Sequence, residues 1–137
     1  MLTKTLMTAC AAILLGLGVL HFAYTFWWPQ LSPRDPVLKT MMSDVPLVLT
    51  RETTMWRAWL GFNASHSMGL ILFGLVYGYL ALLHDELLFK SPHLLIVGLA
   101  VVGGLVVLAK LFWFSVPFWS LCVALACFVS SIAVSRV

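Results

Sequence analysis

Six polar residues that could do chemistry lie inside otherwise apolar stretches of this chain: His21, Tyr24, Asn63, His66, Ser67 and Lys110. Imidazole changes charge near neutral pH, so it can act as an acid, a base or a ligand. Asparagine, serine and tyrosine supply donors and acceptors that orient a polar group. Trp59, Asn63, His66, Ser67 and Leu70 follow at helical spacing, which places them on one face of a helix. An earlier stretch carries His21, Tyr24, Thr25 and Trp28 on a comparable face.

Depth connects the two faces. His21 precedes Trp28 by seven residues, and His66 follows Trp59 by seven. At the rise of an α-helix, each histidine sits about 10 Å inside a belt of interfacial tryptophan. Lys110, three residues before Trp113, falls about 5 Å inside the same belt. All of these residues therefore belong to one half of a membrane, and the other half has almost nothing comparable. Ionisable residues within a bilayer are costly and by default mark a site.

The elements that must position them follow from composition. Apolar residues make up 62% of the 137-residue chain and charged residues 9%, against about 25% charged in a soluble domain. The solvent is therefore expected to be a lipid bilayer. Runs of about 20 apolar residues are needed to cross it, and the chain offers them at 5–28, 55–83, 91–114 and 117–134. The expected fold is an all-α, four-transmembrane-helix bundle in a single membrane domain, 1–137. The third and fourth helices form a tight hairpin, with Pro92 in the first turn of the third.

Residues 29–54 hold four of the six prolines and cannot span. They are expected to form one long interfacial loop between helices 1 and 2, part of which, "VLKTMMSDVPLVL", suits a short amphipathic segment on the membrane surface. "TRETT" supplies N-cap candidates for the second helix, and Glu52 suits its positive end. Lys4, Lys90 and Arg136 fall on one side of the membrane, and Arg34, Lys39, Arg51 and Arg57 on the other. That near balance leans toward a cytoplasmic 29–54 loop.

A net charge of +3 without a basic stripe points to lipid headgroups and argues against nucleic acid. Cys10, Cys122 and Cys127 form no C-x-x-C pair, which argues against a redox pair or a structural zinc site. Gly61, Ser65 and Gly69 recur every four residues as a small-residue ridge, with Gly74 and Gly78 further along. Such a ridge suits close helix packing, inside the monomer or in a homo-oligomer.

The run W-x-G-F-N-x-S-H-x-x-G, Trp59 to Gly69, together with "GVLHFAYTF" and "PRDP", resembles an uncharacterised family of small bacterial four-helix integral membrane proteins. The resemblance runs from about Gly16 through Leu82. It implies a fold and a location in the bacterial inner membrane, and no activity. Other four-span families fit less well. Glutathione-linked membrane enzymes carry an acidic partner beside the Arg and Asn of the second helix, and here His66 stands near Arg57 and Asn63 instead. Vitamin K epoxide reductases need a C-x-x-C, and the sterol-isomerase fold needs intramembrane carboxylates.

The favoured expectation is binding of a lipophilic small molecule in a polar pocket beneath residues 29–54. The site residues are His21, Tyr24, Trp59, Asn63, His66, Ser67 and Lys110, with Leu70, Phe73 and Tyr77 along the tail's path. His66 is the candidate acid or base if there is turnover, and no cofactor is specified. Two readings stand beside it: an accessory subunit of a larger membrane complex, without chemistry of its own, and a bis-histidine haem or metal site on His21 and His66.

Overall fold

The structure, a computed structural model, describes residues 1–136. Its helices are α1 (Leu2–Phe26), α2 (Pro36–Asp44), α3 (Met55–Leu83), α4 (Asp85–Lys90), α5 (Pro92–Phe112) and α6 (Ser115–Ser135), with a 3-10 turn at Pro29–Leu31. Four of them, α1, α3, α5 and α6, are long and apolar enough to cross a membrane, as expected of an integral membrane protein. Their ends lie within three residues of the expected spans.

One expectation is corrected. Residues 29–54 are not one long loop, because a 3-10 turn and the nine-residue α2 interrupt them. Asp35 starts α2 by accepting from the Val37 amide at 2.8 Å, and Pro36 occupies the first helical position, where its missing N–H costs nothing. The polar residues after α3 form the short α4, tied by a Lys90–Glu86 ion pair at 2.9 Å.

Other ends follow the sequence signals. Thr54 Oγ1 accepts from the Arg57 amide at 3.4 Å and caps α3. Ser91 Oγ accepts from Leu94 and caps α5, with Pro92 behind it. Only Trp113 and Phe114 separate α5 from α6, so these two helices pack along each other as a hairpin.

The described residues fall into two compact units. One comprises residues 1–17 and 70–136 and contains the apolar core. In lipid, no hydrophobic drive pushes helices together, so close packing must hold them. Gly74 and Gly78 supply it. A Cβ on Gly74 would stand 2.7 Å from Leu15 Cβ and 2.8 Å from the Ala11 carbonyl oxygen, so α1 and α3 approach backbone to backbone. A Cβ on Gly98 would meet the rings of Phe128 and Tyr77 at 2.6 and 2.7 Å, which brings α3, α5 and α6 together. Tyr77 stacks on Phe73 at 4.1 Å, and its hydroxyl donates to the Leu94 carbonyl at 2.8 Å, so this buried phenol is satisfied.

The Gly61, Ser65 and Gly69 ridge is not that seam. No atom lies within 4 Å of a Cβ built on Gly61 or Gly69, and Ser65 is exposed. From Gly69 to Gly74 is five residues, which turns the helix through about 140°. The two glycine sets therefore occupy opposite faces of α3, and only the second meets another helix of the chain.

The other unit, Gly18–Gly69, holds the end of α1, the 3-10 turn, α2 and the start of α3. Its connecting segment closes as a narrow hairpin. The Met55 amide donates to the Val45 carbonyl at 2.9 Å, beside an isolated antiparallel bridge between Pro46 and Thr54.

Candidate functional site: a histidine–asparagine cluster between two apolar helices

Within the second unit, α1 and α3 meet through polar side chains. His21 Nε2 lies 2.9 Å from Asn63 Oδ1. The Asn63 Nδ2 group donates to the Trp59 carbonyl at 2.8 Å, so its Oδ1 must be the acceptor and His21 Nε2 must carry the proton. In the neutral ring, that leaves the lone pair on His21 Nδ1. His66 stands edge-on to His21, with ring centroids 5.1 Å apart and planes at 78°. Two imidazoles and one carboxamide thus share a small volume.

The cluster is braced from both ends. Thr25 Oγ1 donates to the His21 carbonyl at 2.8 Å, and Ser67 Oγ donates to the Asn63 carbonyl at 2.8 Å. Both hydroxyls return to their own helix, the usual way such groups are satisfied in apolar surroundings. The Trp59 indole N–H donates to the Leu31 carbonyl at 3.0 Å, which ties the 3-10 turn to α3 one turn above Asn63. A continuous path of hydrogen bonds therefore runs from Leu31 through Trp59 and Asn63 to His21.

The face of α3 that bears Asn63, His66 and Ser67 continues as the buried stripe Leu70, Phe73, Tyr77 and Ala81. The helix thus presents one inward face, polar at its start and apolar beyond. Asn63 and His66 are half-buried and Ser67 is buried.

The seven expected residues separate. His21, Asn63 and His66 are in contact, Ser67 binds the Asn63 carbonyl, and Trp59 provides both a carbonyl for Asn63 and an indole for Leu31. Tyr24 packs its ring on Trp28 at 5.9 Å, among the belt aromatics. Lys110 belongs to the other unit, where its ammonium lies 5.2 Å from the Phe118 ring centre. Leu70, Phe73 and Tyr77, the expected tail path, are core residues, each no more than 7% exposed.

Sequence reasoning missed Leu31, because a backbone carbonyl has no signature in residue type. It also left Thr25 out of the site, although the hydroxyl lies one turn from His21.

A haem does not fit this cluster. Two axial imidazoles must face each other across a porphyrin. Here the rings touch edge to face, and the His21–Asn63 hydrogen bond closes the slot a porphyrin would need. These residues do not fit that group as arranged. Among the described residues, no set of three or more His, Cys, Asp or Glu is placed to hold a metal ion.

No protein-family model, curated protein or solved structure matches the chain.

Proposed function

We propose that this is an integral protein of the bacterial inner membrane that holds the polar head of a lipophilic molecule at His21, Asn63 and His66. The observation that supports this reading is the pairing itself. Two imidazoles in edge contact, one hydrogen-bonded to an asparagine, sit between helices made for lipid. A single polar residue in such a place is usefully read as helix glue worth about 1 kcal/mol. Two ionisable rings with a carboxamide exceed what gluing one helix pair requires, and intramembrane ionisable groups collect where something polar must be handled.

The ligand class is an apolar chain ending in a carbonyl, hydroxyl or carboxyl: a quinone, an isoprenoid, a sterol-like lipid or a fatty acyl compound. His21 is held by Asn63 in one tautomer, so it serves as a fixed neighbour for His66. His66 is the half-buried imidazole that meets the head and, if there is turnover, acts as acid or base. With Leu70, Phe73 and Tyr77 committed to the core, the tail lies along the lipid-facing flank beside Gly69, where the helix surface is open. The family resemblance of the Trp59–Gly69 run belongs with this proposal, since these same residues build the cluster.

The test is organic extraction of the purified protein, with mass analysis of the extract from wild type and His66→Ala. A compound enriched with the wild type and lost from the variant supports the site. Equal lipid profiles in the two contradict it.

One observation favours an accessory subunit instead. The Gly61, Ser65 and Gly69 ridge is open: nothing lies within 4 Å of a Cβ on either glycine, and Ser65 is exposed. A partner helix, or a second copy, could pack closely there. Under that reading Gly61→Leu disrupts a complex isolated from membranes, and His66→Ala leaves it intact.

A further inference from the structure

Outside the four long helices, the second unit carries apolar residues that are mostly left exposed. In α2, Val37, Leu38, Met41 and Met42 fall on one arc of about 140°, at 100° per residue. Lys39, Thr40, Ser43 and Asp44 fill the opposite arc. Val37 and Met41 are 65% and 57% exposed, and Val48 and Leu49, at the tip of the hairpin that follows, are 109% and 92% exposed. A soluble surface would leave this a liability.

The polar arc is satisfied locally. Thr40 Oγ1 donates to the Pro36 carbonyl at 3.1 Å, and Ser43 Oγ to the Lys39 carbonyl at 2.9 Å. Lys39 holds its ammonium 5.0 Å from the ring centre of Trp56, in the first turn of α3. The segment is also tied down at both ends: Leu31 to Trp59, and Val45 to Met55. These tethers hold α2 at the level of Trp27, Trp28, Trp56 and Trp59, the aromatic residues that end α1 and begin α3.

We propose that α2 and the Val48–Leu49 tip form an interfacial anchor, their apolar residues seated in the headgroup–acyl boundary of the leaflet into which α1 and α3 run. The occupant of this surface is lipid, for two reasons on the page. α2 meets Trp56 of the tryptophan belt through Lys39, on its polar arc, and leaves its apolar arc open at that level, where lipid can cover it. The segment also carries Arg34, Lys39 and Arg51, with Arg57 just beyond, which suit lipid phosphates. A nine-residue helix is far too short to span, so it lies on the membrane rather than through it. This anchor does not depend on a ligand at His66.

The test uses the full chain in phosphatidylcholine–phosphatidylglycerol vesicles. Cys10, Cys122 and Cys127 are replaced by serine, and an environment-sensitive fluorophore is placed on Met41→Cys, Leu49→Cys or Ser43→Cys. Probes at 41 and 49 are expected to be blue-shifted and quenched by shallow nitroxide lipids at least about twofold more than the probe at 43. Equal quenching at all three positions overturns the proposal. So does a blue shift at 41 and 49 without lipid quenching, which would mean that protein covers this face. If the serine background does not fold, a lipid-borne diazirine on the unmodified chain decides the matter. Labelling within 37–49 supports the anchor, and no labelling there overturns it.

Discussion

At the residue scale, the cluster turns on a proton count. Asn63 donates from Nδ2 to Trp59 and meets His21 through its Oδ1, an acceptor, so His21 must donate. The prediction is a coupling between the two side chains. In a double-mutant cycle with His21→Ala and Asn63→Ala, unfolding in detergent should give an interaction energy of about 1 kcal/mol. Strict additivity would mean that the hydrogen bond contributes nothing. Trp59→Phe keeps the ring and removes the N–H to Leu31. It should destabilise by about 1 kcal/mol and speed amide exchange over residues 29–54 while leaving α5 and α6 unchanged. Unaltered exchange in that segment would show that the tether does not hold it.

This scale was the most legible in the sequence. His21 and His66 stand at equal offsets from Trp28 and Trp59, and a helix converts that offset into depth. Matched depth on neighbouring helices allowed contact, and the rings do touch. Tyr24 shows the limit of the same reasoning. It shares the His21 face by spacing, but its ring goes to Trp28, a choice that belongs to neighbours and not to periodicity.

At the element scale, the decisive residues are glycines, and here spacing misled. The Gly61–Ser65–Gly69 and Gly74–Gly78 sets have the same period, and period alone cannot say which face meets a helix. The backbone approach at Gly74 decides it. Gly74→Ala must push Ala11 and Leu15 away, including a carbonyl that cannot move aside cheaply, and should cost about 1–3 kcal/mol. Gly61→Ala meets open space and should be neutral or mildly stabilising, because alanine favours helix. Thermal unfolding of the two variants side by side checks this, and equal losses would contradict the assigned seam. The short α2 was likewise readable in part: the Asp35–Pro36 pair is a helix-start signal, outweighed by the density of prolines around it.

The Lys4–Asp85 ion pair, 3.0 Å long, joins α1 to the start of α4 and gives an acid dependence. The hydrogen bond from Lys4 holds the Asp85 carboxyl below the usual carboxylate range. A lowered folded-state pKa stabilises the fold above the ordinary carboxylate pKa, and that contribution is lost as pH falls through the folded value. Asp85→Asn should therefore lower the midpoint slightly at neutral pH and not at strongly acid pH. Both partners are partly exposed, so salt should shrink the difference. A gap that persists in acid would assign it to another cause.

At the scale of the whole molecule, composition carried most of the fold. Few charges and four long apolar runs leave α-helices as the elements that satisfy every backbone group in lipid. The same economy hides the function, because apolar faces that meet lipid and faces that meet a ligand use the same residues. What distinguishes this chain is an asymmetry within its second unit, where His21, Asn63 and His66 gather between α1 and α3 near the segment that carries α2.

The central claim is that this asymmetry exists to hold a lipophilic molecule. Native mass spectrometry of the full chain, released from membranes in mild detergent, tests it most directly when wild type and His66→Ala are compared. The account predicts one bound small molecule per chain in the wild type and a bare chain in the variant, with both folded. Bare chains in both, or the same adduct in both, would contradict it and leave His21, Asn63 and His66 as packing between helices.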